Sequence, residues 1–151
     1  MPSVEAASVV LDTQVVLDWL VFRDPGCAAL QQALESGSVR WLTSQAMCRE
    51  LEQVLDRGAA AAWKPDRAAV AAALARFAVM VEPLAPPGPP LRCSDPDDQM
   101  FIDLALAHGV RCLFTRDKAL LKLARRARLR GVEVLSPAAW QRLQTAEPKA
   151  A

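Results

Sequence analysis

At 151 residues, with 52% apolar and 23% charged side chains, the chain is long enough to bury one sizeable core and too short to suggest two domains. This composition excludes a disordered polymer, and no apolar run approaches the length that crosses a bilayer. The net charge of +1 conceals a division: seven basic residues against the single acid Asp117 give residues 116–130 a charge of +6, leaving −5 on the remainder.

Residues 8–12 form a short, continuous, β-branched run, the pattern of a buried strand. Val15, Val16, Trp19, Leu20 and Val21 then share a helical face, and Pro25 starts a second helix that Gly37 closes. Val39–Thr43 reads as a strand, with Ser44 as N-cap of a helix whose Met47, Leu51, Val54 and Leu55 make an amphipathic stripe. An alanine-rich helix from Pro65 to about Ala78 precedes a strand at Val79–Glu82. Residues 83–90 hold five prolines and can be neither helix nor central strand. Asp95-Pro96 opens a helix that ends at His108-Gly109. A strand at Arg111–Thr115, a basic helix at Lys118–Arg128, a strand at Val132–Leu135 and a short helix from Pro137 follow. Strands alternating with helices predict an α/β fold with a mostly parallel sheet covered on both faces. A single domain is expected over residues 1–151, with its core at about 8–143 and a mobile tail at 145–151.

The four cysteines, Cys27, Cys48, Cys93 and Cys112, are widely spaced and form no C-x-x-C pair. Neither a disulfide framework nor a thiolate metal site is expected. Reduced thiols, and an N-terminus lacking the basic and apolar regions of a secretory signal, predict a cytoplasmic protein.

The first strand and the strand 111–115 both run into aspartates, Asp12 and Asp117. In an open parallel sheet, ligands bind beyond the carboxyl ends of the strands. Right-handed crossovers place these two ends on the same side. Taken singly, each aspartate has a plainer explanation as a helix cap or first-turn acid. Two further acids point the same way. Glu50 stands at the shoulder of the Met47–Leu55 stripe, and Asp98 shares a helix face with Phe101, Ile102 and Ala105. Asp95 and Asp97 read as capping or dipole residues. If the four acids converge, each pair about 4 Å apart repels by roughly 4 kcal/mol at an effective dielectric near 20. Such a group requires protons or cations, and an all-oxygen set without histidine or thiolate suits Mg²⁺ or Mn²⁺.

Together these segments resemble a PIN domain: Val-Leu-Asp12-Thr13, Ser44-x5-Glu50-Leu, Asp95-Pro-Asp-Asp98-Gln-Met-Phe-Ile and Leu-Phe-Thr115-Arg-Asp117, in the family's order and approximate spacing. The likeness spans residues 8 to 143 and is greatest to the toxin branch of toxin–antitoxin systems. It implies a three-layer α/β/α sandwich and metal-dependent endonucleolytic cleavage of RNA, with Mg²⁺ or Mn²⁺ as cofactor. Residue by residue, it assigns Asp12, Glu50, Asp98 and Asp117 to the acidic quartet, as metal ligands or water positioners. Thr13 and Thr115 match the small hydroxyl positions beside it. It also implies a homodimer and a cognate antitoxin partner. Two departures stand out: Gln14 where asparagine is common, and Arg116 where this branch often has glycine.

The basic stretch, with Arg116, Lys118, Lys122, Arg125 and Arg126, suits a phosphate backbone or simply a solvated helix face. Trp19, Phe22 and Trp41 fit core packing better than base stacking. His108, at a helix end, has no catalytic assignment. Two rival readings remain. One is a catalytically inactive PIN-fold module that binds RNA or protein, for which Gln14 and Arg116 speak. The other is a phosphotransfer domain with Asp12 as acceptor, weakened because no lysine ends another strand.

Overall fold

The computed structural model describes residues 6–146. Five strands, β1 (Ala7–Leu11), β2 (Val39–Thr43), β3 (Ala78–Met80), β4 (Cys112–Phe114) and β5 (Glu133–Leu135), form one sheet in the order β3-β2-β1-β4-β5. Every pairing is parallel. β1 is therefore central, and sequence-distant β4 lies directly beside it with Leu11 opposite Phe114.

Alternation along the strands divides the core into two layers. Val9 and Leu11 of β1, Trp41 of β2 and Cys112 and Phe114 of β4 face one side. Val10, Leu42, Leu113 and Val134 face the other. The first side is covered by α1 (Thr13–Leu20), α2 (Ala28–Ser36) and part of α3 (Gln45–Leu55), with residues of α4 (Gly58–Ala62), α5 (Arg67–Phe77) and α9 (Pro137–Ala146) packed in. The second side is covered by α6 (Gln99–Ala107), α7 (Lys118–Leu121) and α8 (Ala124–Arg128). Helix α3 serves both layers, since Met47 joins the second and Leu51 and Leu55 the first. Trp19 and Trp41 meet edge-to-face at 5.8 Å in the first layer, as core residues.

The elements follow the sequence pattern with five differences. The helix expected from Pro25 begins as a 3-10 turn at Pro25–Cys27, and the strand expected at Val79–Glu82 spans Ala78–Met80. The basic segment is two short helices rather than one. An i→i+3 bond from Leu123 N to Leu120 O tightens the chain there, and both leucines are fully buried. The helix after Asp95 starts as a 3-10 turn at Pro96–Asp98. A short helix, α4, starts at Gly58, whose φ of +63° lets the chain turn out of α3. Residues 147–151 of the expected tail lie outside the described residues, and α9 continues to Ala146.

The proline segment 83–90 is irregular but well anchored. Arg130 donates from Nη1 to Pro87 O at 3.3 Å and from Nη2 to Pro89 O, and His108 Nε2 lies 2.8 Å from Glu82 O. Ser44 caps α3 as expected, accepting from Met47 N at 3.3 Å while itself buried. Replacing Ser44 by alanine should cost about 1 kcal/mol in urea unfolding, and glycine only a few tenths, because glycine tolerates the extended cap backbone.

Candidate metal centre

Asp12 directly follows β1 and continues its ladder, donating its backbone N–H to Phe114 O at 3.1 Å. Each oxygen of its carboxylate accepts one hydrogen bond. Oδ1 accepts from Val15 N at 2.8 Å, capping α1, and Oδ2 accepts from the hydroxyl of Thr115. The cap and the strand-end placement are thus one arrangement, not competing ones. Thr115, wholly buried at the end of β4, is a relay: its Oγ1 also accepts from Asp117 N at 2.9 Å. One hydroxyl therefore fixes Asp12 and the backbone of Asp117 together. Asp117 caps α7 through Oδ1, which accepts from Ala119 N at 2.7 Å.

Asp98 reaches the same edge from the turn preceding α6. Asp95, Asp98 and Asp117 each offer a carboxylate oxygen, and these oxygens lie within 4.8 Å of one another. Asp98 Oδ2 is buried and has no hydrogen-bond donor among the described residues. Burial, reinforced by the charges of Asp117, Asp95 and Asp12, pushes its carboxyl up to about 7. Asp12 is likewise pushed up to about 6, first by burial and then by Asp117 and Asp18, against the lowering effect of its Thr115 and Val15 hydrogen bonds. An orphaned buried carboxylate oxygen among like charges is the environment that a cation relieves. The all-carboxylate donor set fits a hard divalent ion.

The expected quartet is only partly gathered. Asp98 and Asp117 come together, and Asp12 lies within charge–charge range of both. Glu50 stands outside the three-oxygen group: its Oε2 accepts from the hydroxyl of Thr13, on the first turn of α1. Asp95 was expected only to cap. It does accept from Asp97 N at 3.0 Å, yet it also joins the cluster. Its signal was the Asp95-Pro-Asp-Asp98 spacing, in which a one-turn 3-10 start brings the first and fourth side chains close. Sequence reasoning missed Gln99. Its amide accepts from Cys93 N at 2.8 Å and donates to Leu91 O at 2.8 Å, pinning the chain that delivers Asp95.

Arg116 and Gln14, the two departures, both turn to Asp18 of α1. Arg116 Nε and Nη2 donate to the Asp18 carboxylate at 2.6 and 3.0 Å, and Gln14 Nε2 donates to it at 2.9 Å. Neither side chain hydrogen-bonds to any of the four acids. Arg128 pairs with Glu133 at 3.2 Å. Lys118, Lys122, Arg125 and Arg126 are exposed and make no ion pair among the described residues. The cysteines are free, and burial pushes the thiols of Cys27 and Cys112 up to about 12 and about 11.

A family model described as PIN domain matches residues 8–119, a span that includes all these acids. The chain belongs to the PIN domain family. No curated protein matches it. PIN domains are generally metal-dependent nucleases, and the three-acid cluster of this one can hold an ion. No helix among the described residues is long and apolar enough to cross a membrane.

The raised carboxyls set the sign of a pH effect. Folded Asp12 and Asp98 hold their protons above the ordinary 3.8, so the folded chain binds more protons than the unfolded one between 3.8 and about 7. Stability of the metal-free protein should therefore fall as pH rises through that window and level off above it. Asp12→Asn keeps a cap acceptor for Val15 and removes the buried charge. It should raise the metal-free melting temperature at neutral pH and flatten its pH dependence, measured by calorimetry in chelator.

Proposed function

We propose that this PIN domain, a single domain over residues 1–151, is a divalent-metal-dependent endoribonuclease that hydrolyses phosphodiester bonds. The observation that carries this reading is Asp98, which has a buried, unpartnered carboxylate oxygen and whose carboxylate gathers with those of Asp95 and Asp117 within charge range of Asp12. Asp98, Asp117 and Asp95 would hold the ion directly, with Asp12 as a further ligand or water positioner. Glu50 would act at the rim, held by Thr13. Mg²⁺ or Mn²⁺ bound there would supply a water of lowered pKa and neutralise charge on the phosphate.

The rest of the chemistry belongs to the chain. Thr115 keeps Asp12 and Asp117 in register, so that two strand ends present their oxygens to one point. The caps made by Asp12 and Asp117 fix one oxygen of each carboxylate on backbone N–H groups and set its orientation. The exposed cations Lys118, Lys122, Arg125 and Arg126 offer a path for RNA phosphates leaving the acidic edge. The resemblance to the toxin branch supports a toxin role in the cytoplasm, with a cognate antitoxin protein as partner and a homodimer as the working form. The inactive-module alternative loses ground, because Gln14 and Arg116, its two supports, engage Asp18 instead of the acids.

Purified protein should cut single-stranded RNA with Mn²⁺ or Mg²⁺, stop with chelator, and lose cleavage as Asp12→Asn or Asp98→Asn while remaining folded. Cleavage that survives Asp98→Asn would refute the assignment. Because the ligands must be deprotonated, ion affinity by calorimetry should climb with pH until about 7 and then flatten.

A further inference from the structure

Arg116 is the one residue of the Thr115–Asp117 segment that the acidic cluster does not use. Its guanidinium is gripped through Nε and Nη2 by Asp18, whose side chain is only 6% exposed, whereas Arg116 itself is 50% exposed. Nη1 has no acceptor among the described residues. Gln14 steadies the same carboxylate from one turn earlier on α1. A long arginine side chain at a strand end would ordinarily sample many rotamers. Here a buried bidentate partner leaves it one.

The location gives this rigidity a use. Arg116 lies between Thr115, which holds Asp12, and Asp117, within charge–charge range of Asp12. An RNA strand approaching the edge meets several carboxylates that repel its phosphates. A fixed cation at their rim offsets that repulsion at one defined point. Beyond it, Lys118 and Lys122 and then Arg125 and Arg126 continue the positive surface along the next two helices.

We propose that Asp18 and Gln14 act as positioning residues that hold Arg116 as a preset receptor for a single RNA phosphate beside the acidic pocket. The inference rests on the nuclease reading and deepens it: Arg116 is the point at which one RNA phosphate is held beside the pocket. Arg116 contributes one neutralised phosphate. Asp18 contributes direction while offsetting part of the Arg116 charge, and Arg116 cannot be replaced by lysine, which lacks the fork.

The test is binding of a fluorescein-labelled single-stranded oligoribonucleotide, followed by anisotropy across a salt series in Ca²⁺ and again in chelator. Arg116→Gln should weaken binding and reduce the slope of log affinity against log salt by about 0.7, the value of one phosphate contact on a single strand. Arg116→Lys should keep the parental slope but bind about tenfold more weakly, as the oriented fork is lost. Asp18→Asn should also bind more weakly although it removes a negative charge from the path of the RNA, and tighter binding there would overturn the positioning role. A purely structural pair would lower the melting temperature and leave the slope alone. Parental slope and affinity in Arg116→Gln would overturn the proposal while leaving the nuclease reading intact. Should Arg116→Gln not fold, parental affinity in Arg116→Lys overturns it equally. If the parent protein binds no RNA in either condition, the nuclease reading fails, and this inference with it.

Discussion

Like-charge crowding at one edge of the sheet is the constraint on which the rest of this structure depends. Asp12, Asp98 and Asp117 arrive there with Asp95, and two of them are pushed up towards neutral pH by burial and by one another. Without an ion, burial of these like charges is costly. A carboxylate cluster able to hold an ion carries this cost, since it must keep lone pairs free for the cation. The unpartnered Asp98 Oδ2 is the local expression of that trade between stability and chemistry.

What keeps the edge together is a small set of hydroxyls and backbone donors. Thr115 is the centre of it, donating to Asp12 and accepting from Asp117 N. Capping performs a second task here. Asp12 and Asp117 each commit an oxygen to a helix N-terminus, where the dipole favours negative charge and partly offsets the repulsion. Gln99 and the anchored proline segment do the corresponding work for Asp95, which sits on irregular chain and needs its approach held from both sides. The positive residues divide in the same spirit: Arg116, Arg128 and Arg130 bond to Asp18, Glu133 and two proline carbonyls, and Lys118, Lys122, Arg125 and Arg126 make no ion pair among the described residues.

Much of this was legible along the chain. Alternation of apolar runs with caps gave each strand to within a residue or two, because hydrophobic periodicity and turn chemistry are local signals. The Ser44 cap and the Asp95-Pro96 start were visible for the same reason. Asp12 and Asp117 could be paired in advance because a parallel sheet with right-handed crossovers leaves little choice about where strand ends lie. The break between α7 and α8 was not legible. No glycine or proline stands there, and the i→i+3 turn from Leu123 N to Leu120 O that makes the break leaves no mark in the local pattern.

By itself, then, the sequence determined the α/β class, the parallel order of events along the chain, and the candidate acids at strand and helix ends, all of which follow from short-range pattern and topology. Only the tertiary structure decided which acids share a point in space. It brought Asp95 into the cluster, set Glu50 apart on Thr13, and turned Gln14 and Arg116 away from the acids to Asp18. The reason is physical: a side chain's partner is chosen by distances across elements far apart in the chain, such as the 98 residues between Asp18 and Arg116. No local pattern encodes those distances.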